Sequence, residues 1–252
     1  MMNDAQKEVV FKPVSATFQF QCHRGLECFT CCCAALNLVL TPYDILRMKH
    51  HLKISSDEFL DTYTEMKFDK HHRFPLVSLK MNPDENARCP FVTSEGCTIY
   101  PDRPGACRIY PLGRAASRAH MNTGGQERFF IVEEKHYLGF RGPREWSLKE
   151  WLASEGVNEY NAMNDLWSEI ITSAKDLGPA KGIQRKMQMF YLASYNLDKF
   201  RKFIFESRFF QLFQVAPEKR ELLRTDDVEL MKFALDWLKY SLFGEKTLQT
   251  LG

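Results

Sequence analysis

Thiols are the side chains here whose spacing most clearly implies chemistry, and all eight lie within the first 107 of 252 residues. Five fall in one stretch, CHRGLECFTCCC, as Cys22, Cys28, Cys31, Cys32 and Cys33. The other three, Cys89, Cys97 and Cys107, fall in ARCPFVTSEGCTIYPDRPGACRIYPLG. Thiolate is a soft ligand that selects zinc, iron–sulfur clusters or Cu(I) over hard cations. Cys28 and Cys31 have the two-residue gap of zinc knuckles and iron–sulfur loops. The adjacent Cys32 and Cys33 are poorly placed to bond each other, so both face one centre or one turns into the core. Eight thiols exceed the four ligands of one tetrahedral zinc or one cluster, which implies two centres or spare thiols. For any single cysteine, burial as a small apolar residue is the plain alternative. For the group, metal binding is the better account.

Other chemistry-bearing residues are weaker. His50-His51 and His71-His72 form no HExxH pattern and read as surface histidines. His23, inside the first cysteine loop, is the one histidine retained as a candidate ligand. No Ser-His-Asp arrangement and no phosphate loop is visible. KRELLR is basic but too short for a nucleic-acid footprint.

The elements that would carry these loops follow from periodicity and caps. TFQFQC alternates as a half-buried strand and delivers Cys22. Residues 1–13 read as a polar lead-in, and AALNLVL as a short strand or helix end. Thr41 as N-cap, Pro42 at the first helical position and Asp44 in the first turn predict a helix over about 42–52. Ser55 with Glu58 predicts a second short helix. RFPLVSLKMN reads as a strand, and the prolines and glycines between Pro90 and Gly113 exclude long regular structure there, GCTIY giving at most a brief strand. Residues 127–140 are rich in strand-formers and suit a hairpin. From Ser147, capped with Glu150, to Gly244 the pattern predicts four or five helices, with a stop at Gly178-Pro179. Phe200, Phe203, Phe210 and Phe213 fall near one helix face and read as core rather than a partner groove. The expected fold class is α+β, mostly α: a cysteine-rich metal-binding domain over 14–145 with short strands and two helices, then a helical domain or subdomain over 146–252.

Composition narrows the function classes. The chain is 44% hydrophobic and carries a net charge of +2 from 34 basic and 32 acidic residues, so charge gives no reason to expect nucleic acid or an anionic membrane as partner. The N-terminal sequence has no apolar h-region, and no apolar run approaches the roughly 18 residues of a membrane span. The expectation is a soluble cytoplasmic protein, where closely spaced cysteines serve as ligands or catalytic thiols rather than disulfides.

FQCHRGLECFTCCCAALNLVLTPYDILR, joined to CPFVTSEGCTIYPDRPGACRIYPLG, resembles the YkgJ-type cysteine-cluster family, also called the putative zinc- or iron-chelating domain. That family shows an early cysteine loop ending in an adjacent pair, an LT-x-x-(E/D)-x-x-R helix, a Cys-Pro-Phe segment, and Cys-x-Ile-Tyr-x-x-Arg-Pro-x-x-Cys-Arg. The second block matches from Cys89 through Arg108 nearly position for position. The first departs, with five residues between Cys22 and Cys28 and one extra cysteine. The resemblance implies a ligand pool of Cys22, Cys28, Cys32, Cys33, Cys89, Cys97 and Cys107, with Cys31 spare. Arg103 and Arg108 flank Cys107 and read as groups that offset thiolate charge or hydrogen-bond sulfur, with loop bracing as the alternative. Tyr100 and Tyr110 read as packing residues.

The leading expectation is a metal-centre protein holding an iron–sulfur cluster, 4Fe–4S favoured, or zinc. A related enzyme, flagellin lysine N-methylase, looks like an iron–sulfur-dependent methyl transferase using S-adenosylmethionine. It implies a second reading, an enzyme acting on a protein lysine. No Gly-rich dinucleotide-type signature supports it, and Cys22, Cys28 and Cys31 have the wrong first gap for C-x3-C-x2-C. The third reading is a zinc-stabilised module whose helical half docks a protein partner.

Overall fold

The computed structural model describes residues 9–67, 73–84, 86–116, 127–134 and 136–251. His71 and His72 lie outside them. The first half runs through β1 (Val9–Pro13), β2 (Thr17–Gln19), β3 (Val39–Leu40), α1 (Pro42–Leu52), α2 (Ser56–Tyr63), β4 (Thr64–Lys67), β5 (Leu76–Leu79), β6 (Val92–Thr93), β7 (Gly96–Cys97) and α3 (Gly105–Ile109). Then come β8 (Leu112–Ala116), β9 (Glu127–Glu134), β10 (Glu145–Ser147), α4 (Leu148–Ser154), α5 (Val157–Ile171), α6 (Ala180–Tyr195), α7 (Leu197–Glu206), α8 (Phe209–Leu212), α9 (Pro217–Thr225) and α10 (Asp227–Phe243). The protein is α+β and mostly α.

Two compact units share these elements, and neither is one continuous stretch. The first joins the chain up to Leu38 to Lys80–Ala162; the second joins Val39–Leu79 to Met163–Gly252. The boundary falls inside α5.

In the first unit β9 pairs antiparallel with both β1 and β8, with Phe11 opposite Val132 and Leu112 opposite Ile131. Residues 9–13 are thus an edge strand rather than part of a lead-in, paired with a strand far along the chain that a local reading does not weigh. β2 pairs with β10, placing Phe18 opposite Trp146. The core is Phe18, Phe20, Ile109, Leu112, Trp151, Leu152 and Val157. Trp151 meets Phe20 edge-on at 5.6 Å, and its indole N–H donates to the Ile109 carbonyl at 3.0 Å, so the largest core ring has its polar atom satisfied. Ser147 caps α4 through a reciprocal bond with Glu150, as its sequence predicts.

In the second unit Thr41 accepts from the Asp44 amide while Asp44 accepts from the Thr41 amide, and Pro42 opens α1. Ser55 caps α2 through the Glu58 amide. β5 is the buried centre of a β3-β5-β4 sheet. Three differences from expectation have local causes. α5 stops at Ile171, ahead of Gly178-Pro179, because Thr172 and Ser173 hydroxyls engage nearby backbone groups that a helix would use. The Phe-rich run breaks into α6, α7 and α8, with the Asn196 side chain capping α7 through the Lys199 amide. Phe200 and Phe213 are buried while Phe203 is 37% exposed, so the four phenylalanines do not share one helix. KRELLR lies within α9, which Pro217 starts.

A buried cation knits the second unit. Lys49, on α1, is 4% exposed and its ammonium bonds Asp198 at 2.8 Å and Asp227 at 3.1 Å. Asp227 also takes hydrogen bonds from Arg201 and from exposed His50, the latter at 2.6 Å. Burial alone would raise the Asp227 carboxyl, but the His50 and Arg201 hydrogen bonds and the Lys49 and Arg201 charges hold it well below the ordinary aspartate range. A depressed folded value means stabilisation that is present above the unfolded pKa, about 3.9, and is lost as pH falls through the folded one. Wild-type stability should therefore fall as pH drops below about 4. Asp227→Asn should cost about 1.5–3 kcal/mol at neutral pH and flatten that acid limb. Urea titrations from pH 7 to 2 check this, and an unchanged acid slope in the variant would refute it.

Candidate metal centre

The first cysteine loop is a succession of tight turns. β2 leads to Gln21, whose amide donates to the Gly139 carbonyl at 2.9 Å, and Cys22 follows. The Cys31 amide then donates to the Cys28 carbonyl at 3.0 Å and the Cys33 amide to the Thr30 carbonyl at 3.0 Å. Thr30 is left-handed, at φ 68°, and opens a 3-10 turn over Cys31–Cys33. Such turns bring sulfurs close in sequence to one side of a loop.

The second loop zips onto the first through its backbone. The Cys89 amide donates to the Cys33 carbonyl at 2.8 Å, Ala34 bridges Arg88, and the Ala35 amide donates to the Ala87 carbonyl at 2.8 Å. The β6–β7 hairpin then presents Cys97. Gly96 turns it at φ +115°, and a Cβ there would meet the Phe29 ring at 3.3 Å, so glycine serves both the turn and the approach of the first loop. Arg24 and Glu95 form an exposed ion pair between the same loops. α3 carries Cys107.

Each cysteine of the expected ligand pool is linked electrostatically to at least one other. Cys22 is raised by burial of its sulfur and by Cys28 and Cys33, although the residue is exposed at its edge. Cys32 and Cys33 stand 3.9 Å apart, sulfur to sulfur. The hydrogen bond from Cys32, helped by the Arg88 charge and opposed by burial, lowers Cys33 to about 7. Cys32 is raised by that same bond, by burial, and by the charges of Cys33, Cys22 and Cys107. Burial pushes Cys89 up to about 11, against a hydrogen bond from the Phe91 amide. Cys97 is raised by burial, against the Ile99 amide and the Arg103 charge. Cys31 is exposed and acts on Tyr137.

Several contributors were not legible in the sequence. The Leu138 amide donates to the Cys28 sulfur at 3.1 Å, which brings the segment after β9 to the site. Arg88 acts on Cys33 and anchors on the Thr30 hydroxyl at 3.0 Å. Its position beside Cys89 was the available signal. Arg103 is buried, pairs with Glu155 and donates to the Tyr100 carbonyl at 2.6 Å, and its charge reaches Cys97. Arg108 is buried and bonded to the Glu155 and Pro101 carbonyls, both at 2.5 Å, with its guanidinium 4.4 Å from the Tyr160 ring centroid. His23 is exposed, and its Nδ1 accepts the Gly25 amide at 3.1 Å.

The donor chemistry fits a soft metal ion. Thiols from both loops converge, and three sulfurs receive backbone N–H groups, which favour the thiolate that a metal requires. Among the described residues no three Cys, His, Asp or Glu side chains already stand in a metal-holding arrangement. Once bound, the ion supplies Lewis acidity or, as iron, electron transfer.

Two turn-rich loops zipped by backbone bonds, with short strands behind them and thiols converging from both, define a cysteine-cluster metal-binding domain. Residues 21–131 match the model of the CxxCxxCC family, the putative zinc- or iron-chelating domain. No curated protein and no solved structure matches the chain. No helix among the described residues is long and apolar enough to cross a membrane.

Proposed function

We propose that the first unit binds an iron–sulfur cluster through thiolates drawn from Cys22, Cys28, Cys32, Cys33, Cys89, Cys97 and Cys107, with Cys31 outside the ligand set. The observation that carries this reading is the Cys89–Cys33 backbone bond, which joins the loops and sets sulfurs from both in one electrostatic neighbourhood. Zinc needs four ligands and no other sulfur. An iron–sulfur cluster is bound by thiolate throughout and is tuned by N–H donors to sulfur, both of which this loop pair offers. The centre ties distant stretches of chain together, so it contributes to folding whatever chemistry it serves.

Anaerobic purification followed by an absorption spectrum and by iron, zinc and acid-labile sulfide analysis tests the proposal. A coloured protein with iron and sulfide is the expected result. A colourless protein with about one zinc per chain would replace the cluster by a structural zinc site.

A further inference from the structure

Cys107 sits on a helix that cannot place itself. α3 is five residues long, Gly105–Ile109, and no side chain caps its start. A single helical turn fixes several residues for one hydrogen bond and is unstable alone, so neighbouring elements must set its position.

Three contacts with α4 do so. Arg103 leads into α3 and Arg108 lies in its last turn, and both are buried. The Glu155 carboxylate pairs with Arg103, and the Glu155 carbonyl accepts the Arg108 guanidinium at 2.5 Å. The third contact is the Trp151 indole N–H, which donates to the Ile109 carbonyl at 3.0 Å. Glu155 is itself fixed, its amide donating to the Trp151 carbonyl at 3.0 Å where α4 ends. Gly156 follows in the left-handed region at φ +64°, and a Cβ there would meet the Arg108 Nη1 at 3.3 Å, so the turn and the close approach both favour glycine. One residue thus holds both arginines that bracket Cys107, by its side chain on one side and its backbone on the other. That residue lies beyond position 131, where the family match ends.

We propose that Glu155 is a positioning residue for the metal centre, fixing Cys107 through Arg103 and Arg108. The inference rests on the metal-centre reading above. Taking the charge from a buried ion pair leaves the other ion uncompensated, and groups that orient a metal ligand typically change metal affinity by about 10–100-fold.

Cobalt(II) added to the metal-free full chain is the probe, since thiolate sites accept it and report it by visible absorption. Glu155→Gln keeps the backbone carbonyl that Arg108 uses and removes the charge that Arg103 uses. Cobalt affinity should fall about tenfold. The sulfur-to-cobalt charge-transfer band per bound ion should weaken, as it does in Cys107→Ser. The same substitution in a Cys107→Ser background separates positioning from general support of the fold, because there the ligand that Glu155 places is gone. In that background Glu155→Gln should change affinity by less than about twofold. An equal fall in both backgrounds would show that Glu155 supports the fold at large and would overturn the proposal. So would affinity within twofold of wild type in Glu155→Gln alone. If Glu155→Gln does not fold, Gly156→Ala carries the test through Arg108 with every charge kept. Its loss of affinity should likewise appear with Cys107 and vanish without it, and any other pattern would overturn the proposal. A wild-type chain that takes up neither cobalt nor iron would overturn the metal-centre reading itself, and this proposal with it.

Discussion

Serine at Cys89 or Cys107 is expected to strip most of the metal from the protein, whereas serine at Cys31 should leave nearly all of it. Serine keeps the size and loses the soft thiolate, so the change isolates ligation. Structural zinc in small domains contributes about 10–16 kcal/mol, so removing one of four ligands costs about 3 kcal/mol, or about a hundredfold in affinity. Cys89 sits at the seam: its amide bonds the Cys33 carbonyl, its thiol is raised to about 11 by burial, and Cys33 and Cys97 act on it. Cys107 reaches Cys32 from α3, a part of the chain remote in sequence from the first loop. Cys31 is the supernumerary thiol of the first loop. Metal per chain after dialysis against a weak chelator, with the urea midpoint beside it, is the measurement. Equal losses at all three positions would show that Cys31 belongs to the ligand set.

The parts of this protein that were legible in its sequence are those where a side chain acts on its own neighbours. Thr41, Ser147 and Gly244 each mark a helix end through bonds or a φ that depend on a few adjacent residues, and each end falls where those residues place it. The cysteine loops were legible for the same reason, since spacing and residue type are local. What failed was of another kind. The Leu138 amide that serves Cys28 is a backbone group 110 residues away and has no residue-type signature. The pairing of β1 with β9 is decided across 121 residues by Phe11, Val132 and their neighbours, which a local reading of residues 1–13 does not weigh. Likewise, no local rule announces that Glu155 will engage Arg103 by its carboxylate and Arg108 by its carbonyl. Those contacts decide how α3, and so Cys107, is held.

Phe20→Ala is expected to cost about 3–5 kcal/mol and to weaken metal binding although every thiol remains. Phe20 is 6% exposed, and its ring meets Phe140 at 5.3 Å, Trp151 at 5.6 Å and Tyr110 at 5.8 Å. A Cβ on Gly139 would come within 2.7 Å of that ring, which shows how closely the 138–141 turn packs on it. Three features of the site rest on this packing. The segment leading from β2 to Cys22 runs through Phe20, whose carbonyl accepts the Trp146 indole N–H at 2.9 Å. The turn carrying the Leu138 amide lies against it, and so does Tyr110. Truncation leaves a cavity that all three can relax into, and ligands placed by packing lose the pre-organisation that makes four thiolates bind as a set. Phe11→Ala, by contrast, removes a ring 66% exposed and should change stability by no more than about 1 kcal/mol with metal uptake intact. Urea unfolding and cobalt titration of both variants separate the cases. If Phe20→Ala lost stability but bound cobalt as tightly as wild type, the loops would be placing their sulfurs without help from the aromatic core.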